Sequence, residues 1–170
     1  MSSKIKTHCG DALDVVPTFA DSCYDLAIVD PPYWKLLGEA WDYEWRTKSD
    51  YFAWCAKWIR DLSRVMRHGG SMFVFGYFRM LARISILLEE HGFAVRQELH
   101  FDKGLRAVAG RATKRYQLWP NTHESALFVV RDGRPFIANL LLERQRALGL
   151  TAKQINVALG VKSNGGIVSA

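Results

Sequence analysis

Apolar residues along this chain come in short runs separated by turn-forming residues, and the period of the runs changes from one stretch to the next. "DLAIVD" and "SMFVFG" are near-continuous apolar stretches of strand length, the pattern of strands buried on both faces. "SDYFAWCAKWIRDLSRVMR" and "FRMLARISILLEEHG" place their apolar residues at helical spacing instead. The first of these helices is expected to open at Ser49 or Asp50 and to close at Gly69 and Gly70, the second to end at Gly92. A short strand is expected at "KIKTHC", a helix at "DALDVVPTF" with Asp11 capping its first turn, and strands at "FAVRQELHFD" and "ESALFVVRDG". Strand, helix and strand in alternation predict an α/β fold, a parallel or mixed sheet covered by helices on both faces.

The pattern changes after the last strand. "LLERQRALGLTAKQINVALGVKSNGG" reads as a helix ending at "LGL", then Thr151 as the N-cap of a second helix, "AKQINVALG". A DNA-reading helix–turn–helix has this arrangement, and so has a helical hairpin that only packs. The expected division is residues 1–138 as one α/β region and residues 139–170 as a helical segment.

Composition narrows the class. A chain of 170 residues that is 49% hydrophobic is long enough to bury a core. Cys9, Cys23 and Cys55 form no C-x-x-C pair, so they read as reduced, structural thiols rather than a zinc site. No apolar run reaches the roughly 20 residues of a membrane helix, and the first residues lack the layout of a signal peptide, so a cytoplasmic protein is expected. The net charge of +6 is unevenly placed. Residues 1–102 carry 12 Lys and Arg against 14 Asp and Glu, net −2, whereas residues 103–170 carry 11 against 3, net +8. A one-sided basic surplus points to a polyanion as partner. Within it, the loop "DKGLRAVAGRATKRYQLWP" offers Lys103, Arg106, Arg111, Lys114 and Arg115 for phosphate contacts.

The most unusual stretch is "YDLAIVDPPYW". In α/β sheets ligands bind beyond the carboxyl ends of the strands, and there this chain places Asp30, Pro31, Pro32 and Tyr33. The two prolines stiffen the turn and give the Pro31 carbonyl a set direction. A carboxylate and a carbonyl together accept both hydrogens of an NH2 group, and the Tyr33 ring offers a surface for a planar heterocycle. The following loop, "WKLLGEAWDYEW", is aromatic enough either to close over such a ring as a lid or to extend the core through Trp41 and Trp45.

The order of "GDALDVVPTFADSCYDLAIVDPPYW", "RVMRHGGSMFVFG", "HFDKG" and "NTHESALFVV" resembles the amino-directed DNA methyltransferases, in the permuted group whose catalytic motif precedes its cofactor motif. The resemblance implies a three-layer sandwich of the S-adenosyl-L-methionine-dependent type. It implies methyl transfer to adenine N6 or cytosine N4 of a base flipped out of double-stranded DNA, with Asp30, Pro31, Pro32 and Tyr33 as the catalytic tetrad. Asp11 and Asp30 would then meet the cofactor. Asp rather than Ser at the head of the tetrad tilts the expectation towards adenine. His123 and Glu124 match the family's "N-x-H-E" region, where His123 is expected to serve as a structural, hydrogen-bonded residue.

The sequence departs from that group in one respect: it reaches "NGGIVSA" without the "D-P-F-x-G-x-G" segment that holds the methionine part of the cofactor. The expectation is therefore a catalytic and DNA-facing part that is truncated, completed by a second chain, or catalytically silent, with a tendency to self-associate through an unpaired strand edge. An RNA base methyltransferase and a DNA-binding module without activity are the alternative classes.

Overall fold

The computed structural model describes residues 5–35, 43–104 and 122–160. In chain order the elements are α1 (Ala12–Val15) running into a 3-10 turn (Val16–Thr18), β1 (Tyr24–Val29), α2 (Lys48–Val65), β2 (Met66–Gly76), α3 (Phe78–Glu90), β3 (Phe93–Asp102), β4 (His123–Arg131), α4 (Arg134–Ala147) and α5 (Ala152–Ala158). They divide into two compact units, Met1–Arg131 and Asp132–Ala170. The boundary expected after residue 138 falls inside α4. Among the described residues no helix is long and apolar enough to cross a membrane.

The first unit is built on a four-stranded sheet in the order β1, β2, β4, β3. β1 and β2 run parallel, and β4 is antiparallel to both of its neighbours, so the sheet is mixed. Residues 5–9 form no strand, contrary to expectation: Ile5 is exposed, and a strand persists only where a neighbour takes its ladder hydrogen bonds.

The helical spacing of α2 and α3 sets the core. Tyr51, Phe52, Cys55, Trp58 and Ile59 of α2 meet Met80, Leu81, Ile84 and Leu88 of α3 over Met72, Val74, Leu127 and Val129 of the sheet. Arg64 of α2 ties down the 3-10 turn by donating to the Phe19 and Pro17 carbonyls at 2.8 and 3.1 Å. The opposite sheet face is apolar as well. Ile28 lies beside Phe73, and Phe73 beside Phe128, with which it stacks at 5.1 Å; Phe75 stacks on Phe101 at 5.5 Å. Among the described residues, helices of the first unit cover one face, and on the other Leu26 and Ile28 are 54% and 68% exposed.

Two boundaries differ from the sequence reading. α2 is capped by Thr47, not by Ser49 or Asp50. The Thr47 hydroxyl accepts from the Asp50 N–H at 3.2 Å, and the Asp50 carboxylate accepts from the Thr47 N–H at 2.9 Å, a reciprocal arrangement that satisfies two otherwise orphaned donors. At its other end α2 stops at Val65, and Gly69 and Gly70 lie inside β2, opposite the shift in register between Tyr24 and Leu26. Gly70 is needed there because a Cβ would come within 2.9 Å of the Arg67 carbonyl and 3.1 Å of the Asp25 carbonyl. Gly92, by contrast, ends its helix as expected, at φ +82°.

In the second unit Thr151 caps α5 as the sequence predicts, accepting from the Gln154 N–H while the Gln154 side chain accepts from the Thr151 N–H.

Candidate active site

The parallel pair β1 and β2 ends at the same sheet edge where antiparallel β4 begins, since Gly76 pairs with Ser125, and where β3 ends, since Asp102 pairs with His123. That edge gathers the chemistry. Asp30 follows the last residue of β1 and is exposed, Pro31 is buried, and Pro32 and Tyr33 are half-buried. The Tyr33 hydroxyl donates to Asp30 Oδ1 at 2.8 Å, so the turn closes on itself. The Tyr33 ring also meets Tyr77, which follows β2, edge-on at 6.3 Å.

The turn is supported by α2. Tyr51, fully buried, donates its hydroxyl to the Pro32 carbonyl at 3.0 Å. Two prolines restrict φ but cannot supply a tertiary anchor, and this bond supplies one. Burial pushes the Tyr51 hydroxyl well above the ordinary tyrosine range, and Cys55 beside it adds to the rise; burial pushes the Cys55 thiol up to about 12. Tyr33 is raised as well, by burial first, then by its bond to Asp30 and by the charges of Asp30 and Glu124. Both hydroxyls are therefore donors at neutral pH. Burial also raises Tyr77, against the opposing charge of Arg79.

Of the other residues expected at the site, Asp11 is the N-cap of α1, its carboxylate accepting from the Leu13 N–H at 2.8 Å. Lys103 pairs with Glu124 at the shared sheet edge. Arg106, Arg111, Lys114 and Arg115 lie outside the described residues. His123 sits edge-on to His100 at 4.7 Å, and His100 Nδ1 lies 3.1 Å from the hydroxyl of buried Ser125. In the aromatic loop Trp45 belongs to the core, packed against Tyr51 and Trp54, and its carbonyl accepts from Trp34 Nε1 at 3.2 Å; Trp41 lies outside the described residues.

Tyr51 and Tyr77 are missing from the sequence reading. Tyr51 looks like one more apolar position of an aromatic helix, and no local feature marks its hydroxyl. Tyr77 could have been found, because it follows a strand end just as the 30–33 turn does.

The N6_N4_Mtase family model, described as DNA methylase, matches residues 24–158. The type II methyltransferase M.HinfI of Haemophilus influenzae is 28% identical over 108 residues, a match covering 55% of this chain and 30% of that protein. Among solved structures, TTHA0409 of Thermus thermophilus in complex with S-adenosyl-L-methionine aligns with a TM-score of 0.53 at 20% identity, over 73% of this chain and 52% of that one. The cytosine-N4-specific PvuII DNA methyltransferase aligns with a TM-score of 0.56 at 16% identity, over 72% and 47%. The chain thus spans about half of each solved structure and less than a third of M.HinfI. With the family match running from the start of β1 to the end of α5, the chain belongs to the N6/N4 DNA methylase family.

Proposed function

We propose that this chain is the catalytic part of an enzyme that transfers a methyl group from S-adenosyl-L-methionine to the exocyclic amine of a base in duplex DNA, adenine N6 rather than cytosine N4. The observation that carries the reading is the turn of residues 30–33 at the carboxyl end of β1, anchored through Tyr51 to the core. An exocyclic amine is a poor nucleophile because its lone pair is delocalised into the ring. Asp30 and the Pro31 carbonyl accept its two hydrogens, favour the pyramidal form and stabilise positive charge as it develops on nitrogen. Asp30 Oδ1 already accepts one hydroxyl at 2.8 Å, so the acceptor is directed before the amine arrives. Because Asp30 is exposed, the proton shed by the methylated nitrogen has a route to water. The base reaches the turn only after leaving its stack, and the Tyr33 ring then receives its face.

When bound, S-adenosyl-L-methionine supplies an electrophilic methyl group on a cationic sulfonium. The residues present suit such a group: Asp30 is an exposed carboxylate bonded to Tyr33, whose ring meets that of Tyr77, and Asp11 keeps a second carboxylate at the start of α1. The aspartate at the head of the tetrad supports adenine. The exposed apolar sheet face and the chain's half-length match to its relatives support completion of the cofactor site by a further segment or a second chain.

The test is transfer of tritiated methyl to duplex DNA by the complete enzyme, with the digested nucleosides separated. Label in N6-methyladenine is expected, and Asp30→Ala should lower the single-turnover rate by roughly 100- to 1000-fold, the range for loss of one preorganised acceptor or donor. Label in N4-methylcytosine overturns the choice of base, label in structured RNA alone overturns the substrate, and a near-normal rate in Asp30→Ala overturns the role of Asp30.

A further inference from the structure

Linear charge counting makes the first 102 residues slightly acidic, yet folding brings three cations of that segment together beside the candidate site. Lys48, Ser49, Phe52, Arg79, Met80 and Arg83 line a cleft of about 450 Å3 between the first turns of α2 and α3. Among the described residues none of the three cations forms an ion pair with a carboxylate. Asp50, the acidic side chain in the first turn of α2, is engaged by Thr47. Two of the cations are held by rings: the Arg83 guanidinium lies 5.1 Å from the centre of the Phe52 ring, and Lys48 Nζ lies 5.5 Å from that of Trp34.

Two further features favour an anion. α3 has 13 residues and starts with no side-chain cap at Tyr77, so the partial positive charge of its amino end adds to that of Arg79 and Arg83. The cleft also borders the candidate active site. Trp34, which holds Lys48, directly follows Tyr33, while Tyr77, whose ring meets Tyr33, stands two positions before Arg79.

We propose that Lys48, Arg79 and Arg83 form a phosphate-contacting site for the DNA strand that carries the target base. The proposal rests on the methyltransferase reading above. A base seated on the turn of residues 30–33 remains tied to its own backbone, and the neighbouring phosphates must lie against the rim of that turn. A cleft whose three cations pair with no carboxylate among the described residues is suited to receive them, and its contacts would position the strand without reading sequence. S-adenosyl-L-methionine carries no phosphate, which leaves the nucleic-acid backbone as the phosphate source the proposed reaction brings.

The test is fluorescence anisotropy of a labelled duplex with the 170-residue chain across a potassium chloride series. Replacing all three residues, Lys48→Gln with Arg79→Gln and Arg83→Gln, should lower the slope of log affinity against log salt by about 2 to 3, since each phosphate contact contributes about 0.9. Because Arg83 packs on Phe52, the pair Lys48→Gln with Arg79→Gln is measured alongside, with an expected drop of about 2, and Arg79→Lys should restore part of the slope. An unchanged slope in variants with wild-type circular dichroism overturns the site while the methyltransferase reading stands. Failure of the unaltered chain to bind duplex at all overturns the site, while the methyltransferase reading is decided separately by methyl transfer in the complete enzyme. Competition by inorganic phosphate beyond that of chloride at equal ionic strength makes this a free-phosphate site and overturns the proposal, as does a slope change seen with single-stranded RNA and not with duplex.

Discussion

Tyr51 shows how one hydroxyl can join the core to the chemistry. Its bond to the Pro32 carbonyl is the link between α2 and the 30–33 turn, and a neutral hydrogen bond in a part-buried setting is worth about 1 kcal/mol. Tyr51→Phe should therefore lower the unfolding free energy at pH 7 by about 1–2 kcal/mol, because the carbonyl is left without its donor. The same residue makes a pH prediction. Burial raises both Tyr51 and Cys55, so above pH 9 the unfolded chain gives up protons that the folded state keeps. Stability is then full below pH 9 and declines as pH rises from there towards about 12. Urea unfolding at neutral and alkaline pH should show this decline, and a shallower one in Tyr51→Phe; a decline of equal steepness would mean that Tyr51 does not contribute.

At the scale of elements, the amino end of α2 is where local sequence and site geometry meet. Thr47 and Asp50 cap that end reciprocally, Tyr51 stands one residue beyond Asp50, and Lys48 lies between them in the cleft. Thr47→Ala removes the hydroxyl of the pair and should cost about 1 kcal/mol in urea unfolding, the usual value for an N-cap; Thr47→Ser should recover most of it, and a Thr47→Ala variant as stable as the parent would deny the cap its role. Helical spacing in α2 and α3 is legible in the sequence because 3.6-residue periodicity is a local property. The cap is less legible, since Thr47, Ser49 and Asp50 are all competent to start a helix and the chain's entry angle decides among them. The glycine pair misled for a similar reason: it reads as a helix stop, but it accommodates a shift in register that only the pairing of β1 with β2 creates.

For the molecule as a whole, the decisive feature is a mixed sheet with apolar side chains on both faces and first-unit helices on one. Leu26 and Ile28 expose surface that in water favours association, at about 25 cal/mol per Å2 buried. Light scattering of the 170-residue chain should show species larger than a monomer, and Ile28→Lys should shift the distribution towards monomer without lowering the thermal midpoint, because Ile28 is 68% exposed. A monodisperse monomer in the parent chain would contradict this.

The strands β1 to β4, the helices α2 and α3, the α/β class and the position of the Asp30, Pro31, Pro32 and Tyr33 turn at a strand end are legible without a structure, because each depends on residues adjacent in the chain or one helical turn apart. The strand expected at residues 4–9 is not formed over residues 5–9, because among the described residues no neighbour takes its hydrogen bonds. The one-sided charge of residues 103–170 is legible for the same reason. What depends on distant partners is not. The mixed sheet order, the anchor from Tyr51 to Pro32 and the gathering of Lys48, Arg79 and Arg83 join residues 19 to 35 positions apart or more. A side chain's local pattern states its polarity and spacing but not which surface it will face, and that choice follows only from how strands pair and helices pack.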